Sequence, residues 1–225
     1  MLNVTTPFPY KSIKRITVDG RRLYDTETGP LPSVTTILDK TKSAEKQQVL
    51  ANWRKRVGDT EAQRITTEAA NTGTVMHAIL ENWVNNVDYN PGNNLIHQQA
   101  KAMAEVVKTN VSADLNEVWG NEVSLYYPGV YAGTADLLGV WKGYPTIMDF
   151  KQTNKPKKRE WIEDYFLQCA AYALAHNQLW GTTIDRAAIF MCSRDCQWQL
   201  FEVEPDEFKV WEDRWVKRVE QYYNL

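Results

Sequence analysis

The chain has 225 residues, 43% hydrophobic and 24% charged, which is the make-up of one folded domain or of one domain with an added subdomain. A chain of this length buries a core without disulfide or metal staples, and its composition excludes a disordered polymer. No apolar run approaches the roughly 18 residues of a membrane-spanning helix. The net charge of -2 does not advertise a nucleic-acid binder, although a local basic groove would be compatible with it. Three cysteines fit free thiols in a reducing compartment, and Met1 to Tyr10 is polar and lacks the apolar segment of a secretory signal. Together these features predict a cytoplasmic protein that is neither secreted nor membrane-bound.

In chain order, residues 14–18 and 21–25 flank Asp19-Gly20, a two-residue hairpin signal. Thr28 to Pro32 turns the chain, and Ser33 is an N-cap for a short helix carrying Val34, Ile37 and Leu38. Residues 44–86 are helical in pattern, with a break near Gly58-Asp59 where Asp59 caps a new helix. A loop around Pro91-Gly92 precedes an amphipathic helix over 95–111. Residues 122–127, 131–141 and 145–150 are rich in β-branched and aromatic residues and read as strands, with turns at Pro128-Gly129 and Lys142-Gly143. A helix over 160–180 follows, then strands over 187–192 and 197–203. A last helix opens at Pro205 and carries Phe208, Trp211, Trp215 and Val219 at helical spacing. The expected fold is α/β: a mixed β-sheet flanked by helices, preceded by a β-hairpin and a helical N-terminal part. The expected boundary puts that N-terminal region at 1–93 and the core at 94–225.

The most informative stretch is Gly133 to Lys151. If Lys142-Gly143 is a two-residue turn, Asp136 and Asp149 fall opposite each other on paired strands, with Cβ atoms about 5 Å apart. Opposed carboxylates repel, and a shared divalent cation with oxygen ligands would offset the repulsion. Lys151 lies two residues beyond Asp149 on the same face, placed to position or deprotonate an attacking water or to neutralise phosphate charge. That set suits metal-assisted phosphodiester hydrolysis.

Two helical pairs would complete such a site. His77 and Glu81 share one helix face four residues apart, a spacing that suits a metal ligand and its outer-shell carboxylate, although such pairs are common on helix surfaces. Gln168 and Tyr172 form a second such pair, able to hydrogen-bond a phosphate or base and, for Tyr172, to stack. Between Lys151 and that helix run Lys155, Lys157, Lys158 and Arg159, a basic stretch able to track a nucleic-acid backbone.

The ordered set Gly73-Thr-Val-Met-His77 with Glu81, Gly133-Thr-Ala-Asp136, Asp149-Phe-Lys151 and Gln168-Cys-Ala-Ala-Tyr172 resembles the RecB-like branch of the PD-(D/E)XK nuclease superfamily. Leu31 to Leu38 is similar to the segment preceding the core in the mitochondrial genome maintenance exonuclease and related phage exonucleases. The resemblance spans roughly residues 14–203. It implies a restriction-endonuclease-like core and a Mg²⁺- or Mn²⁺-dependent DNA exonuclease acting in recombination, replication or DNA degradation, of a kind found in phages and working in the host cytoplasm. By that likeness His77, Asp136, Asp149 and the Phe150 carbonyl ligate one or two ions, with Glu81 and Glu122 as further second-metal or outer-shell groups. Lys151 assists the attacking water, Gln168 and Tyr172 hold DNA or the lysine, and Ser33 and Thr35 touch a phosphate. The helical N-terminal part would arch over the site and thread a free single-stranded end. The resemblance also admits a single-strand annealing or replication protein as partner. Cys169, Cys192 and Cys196 are too few for the four-cysteine iron–sulfur cluster of some relatives, and no Walker A motif is present, so neither a cluster nor ATP is expected. Three alternatives stand beside this reading: a structure-specific endonuclease on the same fold, a non-catalytic DNA-binding subunit, and a hydrolase of small phosphate esters. Oligomeric state is left open by the sequence.

Overall fold

The computed structural model describes residues 1–224. Strands β1 (Lys14–Val18), β2 (Arg21–Thr26) and β3 (Gly29–Leu31) form a small antiparallel sheet. Asp19 and Gly20 both have positive φ, as the tight hairpin turn requires. The stretch expected only to turn the chain at 28–32 adds a third strand instead. Helices α1 (Val34–Lys40), α2 (Ala44–Val57) and α3 (Asp59–Val84) follow. Ser33 caps α1, its hydroxyl accepting from the Thr36 backbone N–H at 3.0 Å. The break between α2 and α3 falls at Gly58, at φ +86°, where a side chain would be strained. Asp59 is thus the first residue of α3 rather than its cap. α4 (Leu95–Val111) is capped by Asn94.

The larger sheet comprises β4 (Leu115–Tyr127), β5 (Tyr131–Trp141), β6 (Tyr144–Thr153), β7 (Ala187–Ser193) and β8 (Trp198–Val203), in that spatial order. β4 begins at Leu115 rather than 122, and β6 runs on past Phe150 through Lys151. All neighbours are antiparallel except β6 and β7, which are parallel and joined through a 3₁₀ turn (Arg159–Trp161) and α5 (Glu163–Trp180). α6 (Pro205–Tyr223) closes the described chain.

Side-chain alternation along the strands divides the core into two layers. Leu138, Ile147, Ile189 and Met191 pack with α1, α5 and α6 on one face. Leu137, Met148, Ala188 and Phe190 pack with α3 and α4 on the other. Helices on both faces explain why β7 is buried throughout and reads as an unbroken apolar run. The α/β architecture expected from the sequence is the one observed. α2 is the exception to the packing, since none of its residues is buried.

Candidate active site

The site forms where two paired strands part. β5 and β6 are joined by a two-residue turn at Lys142-Gly143, and their ladder runs from Trp141↔Tyr144 to Leu137↔Met148. Beyond that pair β5 stays with β4 and β6 stays with β7, so a fork opens between them. Asp136 and Asp149 stand one step past the last paired residues, on the register expected but not themselves a ladder pair. The Asp136 carboxylate replaces the missing strand contact by accepting the Phe150 backbone N–H at 2.9 Å. Asp149 is 3% exposed, and its charge is answered by Lys151 rather than left facing Asp136. The Lys151 ammonium donates to Asp149 Oδ1 at 2.6 Å. It lies equally near Oδ2 but out of hydrogen-bonding alignment, so that buried oxygen has no hydrogen bond.

α3 crosses the open end of the fork. The helix passes Gln152 of β6 at Gly73, and Gln152 donates to the Ala69 carbonyl at 3.2 Å. This seats His77 edge-on to the Phe150 ring, with Nδ1 at 3.6 Å from Asp136 Oδ2 and 3.9 Å from Glu122 Oε1. Glu122 lies across from Asp136 on β4 and adopts φ +51°, an uncommon backbone conformation for a residue with a side chain. One donor atom from each of His77, Glu122 and Asp136 falls within 4.8 Å of the others, a group that could hold a metal ion. A nitrogen with carboxylate oxygens fits a divalent ion. Glu81 flanks this group on α3 without entering it.

The electrostatics follow from burial and crowding. Burial opposes charge on His77, but Asp136 and Glu122 outweigh it and hold its pKa above the ordinary value. Burial, with Asp136 adding to it, lifts Asp149 to about 7 despite the adjacent lysine. Burial works against the Lys151 cation too, yet Asp149 and Asp136 more than compensate and raise its pKa. Glu81 is raised by burial and by Glu122. The close carboxylates thus favour the charged form of Lys151 in this arrangement.

The other expected residues are placed unevenly. Gln168 Nε2 lies 3.4 Å from the Tyr172 hydroxyl, as helical spacing implies. Tyr172 is buried, its ring against Gly133, and so offers no face for stacking on a base; this corrects the expectation. Arg159 is held by Glu207 at 2.7 Å and by the Glu202 carbonyl at 2.9 Å, so it braces α6 and β8 rather than lying open to a backbone. Lys155 and Lys158 are exposed and Lys157 half-buried. The Ser33 hydroxyl is spent on its cap and on Thr35 and Thr36. Sequence reasoning missed Tyr165, whose ring lies 5.0 Å from Lys151 Nζ. Its place on α5 three residues before Gln168 was the available signal.

No family model matches the chain, and no curated protein matches it. Among solved structures it is similar to a protein from Eubacterium rectale described provisionally as an exonuclease, at 13% identity and a TM-score of 0.48, over 70% of this chain and 68% of that one. A likeness so distant assigns neither a family nor an activity. Among the described residues, no helix is long and apolar enough to cross a membrane.

Proposed function

We propose that this chain is a Mg²⁺- or Mn²⁺-dependent nuclease with a restriction-endonuclease-like core, hydrolysing DNA phosphodiester bonds from free single-stranded ends. The observation that carries the reading is the fork. There His77, Glu122 and Asp136 converge from three elements beside the buried pair of Asp149 and Lys151. Such a set has no packing role that would justify burying two aspartates side by side.

His77, Asp136 and Asp149 would hold the ion, with Glu122 beside them and Glu81 further out. The ion, when bound, supplies Lewis-acid stabilisation of charge on the phosphate. Lys151 orients the Asp149 carboxylate and places a fixed positive charge where charge develops in the transition state. Asp136 holds the Phe150 backbone, and with it the carbonyl proposed as a further ligand. Gln168, from α5, is a hydrogen-bond donor for the substrate.

End-labelled linear single strands, linear duplex and closed circular single strands would test this in Mg²⁺, Mn²⁺ and EDTA. The expected result is metal-dependent loss of linear strands with circles spared. Lys151→Ala should lower the rate by about 10²–10³-fold while circular dichroism stays unchanged. Cutting of circles would make the chain an endonuclease. Binding without cleavage in any metal would leave a DNA-binding subunit.

A further inference from the structure

The exposed face of α2 and the basic loop before α5 enclose an open cleft of about 1640 Å³, lined also by α3 and Arg194. One wall is apolar, with Val49, Leu50 and Trp53 on α2. Val49 and Leu50 are exposed although no residue of α2 is buried elsewhere. Trp161 lines the opposite side at 59% exposure, with Lys158 Nζ 5.4 Å from its ring centroid. The cleft reaches Tyr165, the residue beneath Lys151, so it is continuous with the catalytic end of β6.

Six cations line the cleft against one carboxylate, Asp195. Three are already committed: Lys46 to Asp164, Arg64 to Glu61, and Arg194 to Glu68. Arg56, Lys155 and Lys157 form no ion pair among the described residues. A cleft that pairs open cations with accessible indole rings matches the chemistry of an unpaired polynucleotide, whose phosphates need cations and whose base faces are free to stack. In a duplex those faces are covered by neighbouring base pairs.

We infer that this cleft is the binding track for an unpaired strand, with Trp53 and Trp161 stacking on its bases and Arg56, Lys155 and Lys157 contacting its phosphates. The inference rests on the nuclease reading for what lies at the end of the track, and it adds the residues that select single strands. α2 is thus a wall for substrate, which accounts for a helix that contributes nothing to the core.

The test is fluorescence anisotropy in EDTA, with labelled oligo(dT) and a duplex of equal length, across a salt series. Oligo(dT) should bind more tightly than the duplex. Trp161→Ala should weaken it by about 5- to 150-fold, and Trp161→Phe should restore most of the affinity. The Lys155→Gln, Lys157→Gln double variant should flatten the slope of log affinity against log salt by about 1.4. Oligo(dT) affinity unchanged by Trp161→Ala, or a duplex bound as tightly as the single strand, would overturn the inference. Wild-type hydrolysis of bis(p-nitrophenyl) phosphate in Mn²⁺ separates the two readings, since that ester is too small to need the cleft. Hydrolysis with an inert cleft overturns the track and leaves the nuclease. A working cleft without hydrolysis does the reverse.

Discussion

At the scale of single residues, Asp136 does two jobs that substitutions can separate. Its carboxylate accepts the Phe150 N–H in a buried setting and also belongs to the group able to hold a metal. Asp136→Asn keeps an acceptor oxygen and removes the charge, so it should abolish Mn²⁺ binding in calorimetry while leaving thermal stability near wild type. Asp136→Ala leaves the buried N–H without a partner and should cost about 1–3 kcal/mol in denaturant unfolding as well. Equal stability losses in the two variants would refute this division. Glu122 carries a local backbone feature of its own. Its φ of +51° places backbone strain at the strand position whose carboxylate faces His77.

At the scale of elements, the turn chemistry made the β5–β6 register legible, and the fork was not. Lys142 and Gly143 both have positive φ, the condition for a two-residue turn that aligns Trp141 with Tyr144 and sets every later pair. Where the ladder stops is decided by α3 lying across the end of β6 and by β4 retaining β5, contacts distant in sequence. β4 was read short because it bulges. Its register shifts near Glu117 and again near Gly120, which breaks the alternation that marks a strand. Gly139 sits opposite this irregularity, and a Cβ there would overlap the Glu117 carbonyl oxygen. Gly139→Ala should therefore destabilise the protein by about 1–3 kcal/mol in denaturant unfolding. A stability within about 0.5 kcal/mol of wild type would show that the β4 bulge adjusts freely.

At the scale of the whole molecule, a buried histidine ties the first residues of the chain to α5. His176 is ringed by Phe8, Tyr10, Trp119 and Trp180. Its Nε2 lies 2.9 Å from the Tyr10 hydroxyl and its Nδ1 2.7 Å from the Thr182 hydroxyl. Burial lowers its pKa to about 4. Below an unfolded value of about 6.5 the unfolded chain takes up a proton that the folded chain refuses. The stability this histidine contributes is thus complete above that value and is lost as pH falls towards 4. Wild type should lose more stability than His176→Gln between pH 6.5 and 4, as read from urea unfolding at each pH. Parallel profiles would show that His176 titrates normally.

The amino-acid sequence by itself determined the α/β class, most of the element order and the grouping of Asp136, Asp149 and Lys151. Those depend on periodicity, turn residues and short spacings within one segment. Tertiary structure decided which aspartate meets the lysine and which faces the histidine, because that turns on two strands parting under a helix from elsewhere in the chain. It also buried Tyr172, engaged Arg159, and left α2 standing off the core with an indole and open cations facing it. Each is a matter of which surfaces meet across the fold, and no local pattern encodes that.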